Sequence, residues 1–500
     1  MTPVTDFAVK DTYEYLNGFN NYHQSEALPG ALPVVINTPQ KPPYGLRTER
    51  ISNTSFTAAR ERNQQTWLYR SVSSMEVGTF TPFTAEDESY DSYVNPAPPV
   101  HLTPNSYFWP GPSIPVPVLD IGNNNGDARK GADWITGQKL LGRNGDPQQK
   151  QGVAFWLFSV TDDMAASTAF SSLDGETLIV PQAGALDIQT ELGRLLVRQN
   201  EIVVIPRCVR YRVTLPEREE GKGRATRGYV CELFEGHYQL PNLGAIGSTG
   251  LANARDFQIP VAFFEADVVS ATESEDGHSN GNGQGVKEKK VVKATRDRAW
   301  RIVSRLNGKL WSCVQDHTPF DVVAWHGTTY PYKYDLNRFC ALGNTRFDHH
   351  DPSLFIVLTA PAYGKAPGTS VLDFAIAPPR WQAARDTLWI PYFHRNVTQE
   401  FFFPIISSQS PHHPLNKSGS ESAQFKPFAC GLHGSMATHG GPEPEFQKAT
   451  YEKDTSKPEK VDDEGVMLAL WETEMPLFLS DWAFDAAVKN VFGLKAKTKL

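Results

Sequence analysis

The chain has 500 residues, enough for two or three large units with a sizeable core. Its net charge of −8 argues against a general nucleic-acid binder, and it holds no run of eighteen apolar residues that could span a membrane. The 38 glycines and 37 prolines favour short strands and turns over long helices. The five cysteines are scattered, with no Cys-x-x-Cys pair, so neither a disulfide framework nor a zinc finger is expected. That fits a reducing compartment. The opening Met-Thr-Pro-Val-Thr-Asp-Phe has no basic region followed by an apolar one, so no signal peptide is expected. The closing Lys-Thr-Lys-Leu is only a distant relative of the Ser-Lys-Leu peroxisomal address. A cytoplasmic location is the expectation.

In chain order, residues 1–133 read as an N-terminal arm and extended region, rich in Pro, Asn, Tyr and Ser, with ordered islands at Tyr15-Leu-Asn-Gly-Phe-Asn-Asn and Gln65-Thr-Trp-Leu-Tyr-Arg. Residues 134–298 change texture. Val153-Ala-Phe-Trp-Leu-Phe-Ser-Val is an apolar run of strand length. Short strands follow around Leu178, Leu186, Ile202 and Tyr211, with turns at Asp174-Gly175 and Glu191-Leu-Gly-Arg. This spacing predicts a jelly-roll or cupin-like barrel. A metal-binding barrel of that kind would carry histidines near residues 180–188 and 204–211, which here hold other residue types. This half is therefore expected to be metal-free. The polar, charged stretch 270–295 cannot bury a core and reads as a disordered insertion. Residues 299–500 are again dense in strand-like aromatic segments, now with histidines. The fold expected is mainly β: two cupin-like or jelly-roll units with an extended N-terminal arm.

Two stretches of this last part carry the chemistry. Pro391-Tyr-Phe-His-Arg-Asn-Val-Thr-Gln-Glu-Phe-Phe-Phe-Pro holds His394 and Glu400. Gly431-Leu-His-Gly-Ser-Met-Ala-Thr-His-Gly-Gly-Pro holds His433 and His439. Metal ligand atoms sit about 2 Å from the ion. Six residues of straight strand span about 20 Å, and in a helix they point to different faces. The backbone must therefore turn between His394 and Glu400, and Arg395-Asn396 is the expected place. Two histidines and a carboxylate with open positions opposite is the donor pattern of non-haem Fe(II) oxygenases. Spacing alone leaves open which of the three histidines join Glu400.

Several stretches in the same order resemble the homogentisate 1,2-dioxygenase family. They are the two N-terminal islands, Leu243-Gly-Ala-Ile-Gly-Ser-Thr-Gly-Leu-Ala-Asn-Ala-Arg-Asp-Phe, Asp321-Val-Val-Ala-Trp-His-Gly, Tyr330-Pro-Tyr-Lys-Tyr-Asp-Leu, Phe347-Asp-His-His-Asp-Pro-Ser and Pro378-Pro-Arg-Trp. The resemblance implies His394, Glu400 and His439 as ligands of one Fe(II), with His433 on the pocket wall. It implies His326 as the acid–base histidine beside the substrate ring. It also implies a small aromatic substrate, O2 as co-substrate, and a homo-oligomer, a hexamer built as a dimer of trimers. Tyr392, Gln409 and Lys426 are candidate substrate contacts.

The chain departs from the family after Glu400. A Met-Gly-Leu-Ile-Arg-Gly-type run ending in Tyr is replaced by Phe401-Phe-Phe-Pro-Ile-Ile-Ser-Ser-Gln-Ser, so that Ile406 and Gln409 take the Arg and Tyr positions. The run before His433 is altered as well. A paralogue that opens a different hydroquinone or a gentisate-like ring is the alternative reading, and a non-catalytic cupin-like metal-binding protein a further one.

Overall fold

The computed structural model describes residues 11–85, 95–101, 107–109, 131–216, 225–273, 287–341, 346–348, 351–366, 368–390, 392–406, 428–440, 443–461 and 466–489. The protein is mainly β. A large sheet runs in the order Tyr15–Asn17, Gln258–Pro260, Tyr332–Asp335, Glu201–Ile205, Glu176–Ala183, Thr226–Leu233, Val153–Val160, Gln138–Arg143 and Phe478–Leu479. Val153–Val160 is buried at every position, which explains its unbroken apolar sequence. A second sheet places Gly193–Arg198, Ala185–Thr190, Tyr211–Thr214, Thr168–Ser172, Trp300–Leu306, Lys309–Gln315 and Thr81–Pro82 side by side. Together these form the first β unit. The second unit is built on a sheet in the order Ile356–Pro361, Ser370–Ala377, Val466–Thr473, Gln399–Ile406, Cys430–His433, Tyr107–Trp109 and Val488–Lys489.

The two units share one core. Along Gln399–Ile406, alternate residues face opposite ways. Phe401, Phe403 and Ile405 are buried, and Phe403 stacks on Tyr229 of the first unit at 4.0 Å. Phe155 and Trp471 close the same aromatic cluster. Gln182 Nε2 donates to the Pro404 carbonyl at 3.0 Å, and Tyr229 Oη donates to the Ala429 carbonyl at 3.0 Å. The first unit thus braces the back of the strand that carries Glu400.

Three expectations change. Residues 298 and 299 do not divide the sheets: Trp300–Leu306 lies parallel to Thr168–Ser172, and Tyr332–Asp335 pairs with Glu201–Ile205. Ile302 and Val303 are fully buried, and both sides of that strand need cover. The described part of the region before residue 134 is not only an arm but also builds sheet. His23–Glu26, Gln65–Arg70 and Arg47–Ser52 join Val322–Gly327 in a four-stranded layer. The insertion expected to be disordered is ordered at both flanks, where Asp267–Glu273 and Lys287–Lys293 pair as an antiparallel ribbon. Val268 and Val269 oppose Val292 and Val291 there, and Asp267 opposes Lys293, so apolar and opposite-charge pairs both favour the ribbon. Its middle lies outside the described residues. All five cysteines are free.

Candidate metal centre

The turn between His394 and Glu400 exists, two residues later than expected. His394 lies in an isolated bridge with His439, the chain bends at Val397 and Thr398, and the Glu400 strand begins at Gln399. Asn396 drives the bend through its side chain rather than by an unusual backbone angle. Its Oδ1 accepts from the Thr398 N–H at 3.2 Å, an Asx turn, and its Nδ2 donates to Glu400 Oε1 at 3.2 Å. The second loop turns at Ser435 and Met436, with Met436 in the left-handed region at φ 60°. The Met436 N–H donates to the Asn396 carbonyl at 2.7 Å, and Ser435 Oγ donates to the Val397 carbonyl at 2.6 Å. The two loops are therefore stitched together beside the site.

One ligand atom each from His394, Glu400 and His439 lies within 4.8 Å of the others. His394 Nδ1 is 2.8 Å from the Tyr392 carbonyl, and His439 Nδ1 is 2.9 Å from the Ala437 carbonyl. A carbonyl can only accept, so each Nδ1 is a donor, and Nε2 is the nitrogen that offers a lone pair to a metal once the ring is neutral. Both Nε2 atoms face Glu400, at 3.8 Å and 3.0 Å. Two imidazoles and a carboxylate held in this way suit a first-row transition metal. Burial opposes the Glu400 charge, but the hydrogen bond and charge of a protonated His439, with the Asn396 hydrogen bond, hold its carboxyl below the usual range.

Around this cluster the sheet lines up a row of ionisable groups. Asp373 pairs with Glu472, Glu472 with Glu400, and Glu400 with His433, all on one face. Burial, with Glu400 and Asp373 nearby, pushes Glu472 up to about 8, so it carries its proton at neutral pH. Burial and the His439 charge push His433 down to about 4, so it is a neutral ring. His433 stacks on His439 at 4.1 Å and on Phe402 at 4.8 Å, making a three-ring pile against the cluster. Phe402 fits there because residue 431 is glycine: a Cβ at Gly431 would lie 2.3 Å from the Phe402 ring.

His326 lies in a different sheet from Glu400 and His433. It lies on Val322–Gly327, 8% exposed, with Tyr22 Oη 2.6 Å from Nδ1 and Tyr69 Oη 3.0 Å from Nε2. Burial lowers its pKa, which keeps the ring neutral at pH 7. Among the described residues, none of its hydrogen-bond or ring partners belongs to the cluster. Its strand is fixed by a buried ion pair: Arg70 Nη2 lies 2.8 Å from Asp321 Oδ1. The stretches Gln65-Thr-Trp-Leu-Tyr-Arg and Asp321-Val-Val-Ala-Trp-His-Gly are thus direct neighbours in one sheet. Tyr392 is exposed; its backbone carbonyl orients His394, and its ring meets the His394 ring edge-on at 5.7 Å. Gln409 and Lys426 lie outside the described residues. The sequence reading put Asn396 at the turn but missed its bond to Glu400, and it missed Glu472, Phe402 and Tyr22. A lone glutamate ending the apolar run Val466–Thr473 was the available signal for Glu472.

The family model "Homogentisate 1,2-dioxygenase N-terminal" matches residues 14–276 and 289–336, and "Homogentisate 1,2-dioxygenase C-terminal" matches residues 337–492. The homogentisate 1,2-dioxygenase of Emericella nidulans is 43% identical over 487 residues, covering 97% of this chain and 94% of that protein. The chain belongs to the homogentisate 1,2-dioxygenase family. It is accordingly an enzyme of the ring-cleaving oxygenase type. The seam between the family's two parts, at residues 336 and 337, falls just after the Tyr332–Asp335 strand of the first sheet. Among solved structures, Bacillus subtilis oxalate decarboxylase is similar at 11% identity, with a TM-score of 0.27 over 79% of this chain and 86% of that one. A cupin 2 conserved barrel domain protein from Leptotrichia buccalis is similar at 11% identity, with a TM-score of 0.15 over 39% of this chain and 86% of that one. Likenesses this loose carry no argument about the homogentisate dioxygenase site.

Proposed function

We propose that this enzyme opens the ring of homogentisate with O2, at one Fe(II) held by His394, Glu400 and His439, to give 4-maleylacetoacetate. The observation that carries this reading is the orientation of the two imidazoles, both with Nδ1 on a backbone carbonyl and Nε2 toward Glu400. The reaction belongs to tyrosine and phenylalanine (phenylacetate) catabolism, and cytoplasm is its place. Among the described residues, no helix is long and apolar enough to cross a membrane.

Iron(II), when bound, supplies a path for electron density between an electron-rich ring and O2, a triplet that reacts slowly with closed-shell aromatics. The protein supplies the rest. Neutral imidazoles and one carboxylate leave net positive charge at the centre, which favours an anionic substrate. The substrate phenol must lose a proton; His326, kept neutral by burial, takes it and later returns it. His433 and Phe402 wall the cluster on one side.

The enzyme works as a homo-oligomer, a hexamer arranged as a dimer of trimers. Two observations support assembly. His326 has its contacts away from the cluster of its own chain. The cluster is rimmed by exposed Tyr392, Phe393, Val397 and Met436, groups that gain from being covered. In such an assembly His326 of one copy can close on the cluster of another.

A second reading is favoured by one specific feature. On the metal-bearing face, the residue after Glu400 in the alternation is Phe402, in a strand whose sequence departs from the family. A hydroquinone other than homogentisate would suit that apolar wall. Anaerobic purification with Fe(II), followed by O2 uptake on homogentisate, gentisate and simple hydroquinones, decides between them. Uptake with homogentisate is expected. Uptake only with another ring selects the paralogue reading, and none with any ring sinks both.

A further inference from the structure

Tyr69 has one hydroxyl proton, which it donates to the Asn37 carbonyl at 2.9 Å. Toward His326 Nε2, 3.0 Å away, the Tyr69 oxygen can therefore only accept. Nε2 thus carries the proton of the neutral imidazole, and Nδ1 is the basic nitrogen. That nitrogen does not face open space: the Tyr22 hydroxyl donates to it at 2.6 Å. His326 itself is 8% exposed, whereas Tyr22 is 59% exposed. The basic atom of the buried histidine is reached from outside through a surface phenol.

We propose that Tyr22 is the proton gate of His326, passing the substrate's phenolic proton to Nδ1. The proposal rests on the acid–base role given to His326 above. In the transfer, the substrate O–H bond breaks as its proton moves to the Tyr22 oxygen. The Tyr22 O–H bond breaks as its own proton moves to Nδ1. Tyr22 ends as a phenol, the imidazole as imidazolium and the substrate as phenolate, so protons and charge balance. Concerted exchange spares Tyr22 from becoming a free tyrosinate, which its partly buried position disfavours. Reversal of the same shift returns the proton later. The titratable groups facing His326 are Tyr22 and Tyr69; across the strands its neighbours are Gln24 and Trp67, which do not titrate.

The test is Tyr22→Phe in the full-length, Fe(II)-loaded enzyme. The side chain is exposed and the ring is kept, so folding is undisturbed. A donor on Nδ1 favours the neutral imidazole, so its removal raises the His326 pKa. The acid limb of the kcat/KM profile should move to higher pH, and kcat should fall at least about 10-fold with KM little changed. Nitrogen NMR of labelled histidine should report the same rise in His326 pKa without any substrate. An acid limb and an NMR titration that both stay put overturn the gate, whatever happens to the rate. His326→Ala that keeps wild-type turnover is a different failure, since it removes the base reading itself.

Discussion

The backbone N–H of His394 donates to the carbonyl of His439 at 2.9 Å, and the N–H of His439 donates back at 3.1 Å. Together with the Met436 and Ser435 bonds between the loops, this reciprocal bridge holds the two rings with centroids 4.1 Å apart. The side chains are thus positioned by backbone hydrogen bonds that a side-chain substitution leaves in place.

Metal content should therefore separate the two classes of histidine. His394→Ala or His439→Ala removes a nitrogen donor from an otherwise intact scaffold, and iron per chain should fall to near zero. His326→Ala should keep its iron and lose turnover by about 100-fold or more, the scale of general acid–base catalysis. Elemental analysis beside O2 uptake checks both. Loss of iron in the His326 variant would refute the division of roles.

The fit of Phe402 over Gly431 predicts a non-additive pair. Gly431→Ala puts a Cβ 2.3 Å from the Phe402 ring and should destabilise by about 1–3 kcal/mol through overpacking. Phe402→Ala removes the obstacle, so the double variant should be no less stable than Phe402→Ala alone. Urea unfolding of the three variants measures the coupling. Additive losses would mean the ring does not lie over residue 431.

Arg70 and Asp321 are both almost wholly buried. Arg70 also meets Glu191, and Asp321 accepts from Ser71 Oγ and the Val72 N–H. Arg70→Met leaves the Asp321 charge without its main partner and should cost about 3–5 kcal/mol. Arg70→Met with Asp321→Asn should recover part of that loss. Denaturant midpoints provide the comparison, and equal stability of wild type and Arg70→Met would contradict the arrangement.

His237 supplies a pH-dependent link between the N-terminal region and the first sheet. It lies 2.7 Å from Glu176 Oε1 and 2.9 Å from the Asn53 carbonyl. Burial works against its charged form, but the Glu176 charge and hydrogen bond, together with the Asn53 carbonyl, raise its pKa above the ordinary value. A raised folded value means that this stabilisation is complete below the unfolded pKa of about 6.5 and is lost as pH rises through the folded one. The Tm advantage of wild type over His237→Gln should be greatest in mild acid and shrink on the alkaline side. A constant or growing advantage would reverse the sign of the linkage.

The sequence by itself determined the family and the β character, and it confined the candidate cluster to two short stretches. Apolar runs such as Val153–Val160 announce strands because burial on both faces leaves no polar alternation. Ligand chemistry and spacing narrowed the candidates to Glu400 and three histidines, and only the family resemblance singled out His394 and His439 among them. Only the tertiary structure decided where the bend between His394 and Glu400 falls, since the Asn396 side chain closes it through contacts that spacing does not encode. It alone set Asp373, Glu472, Glu400 and His433 in one row, because strand register pairs residues far apart in sequence. The same holds for Tyr22 and His326, 304 positions apart and joined by one hydrogen bond. Local pattern fixes which residues can form strands and which can hold a metal. Which of them meet is set by long-range pairing and by the burial of a common core.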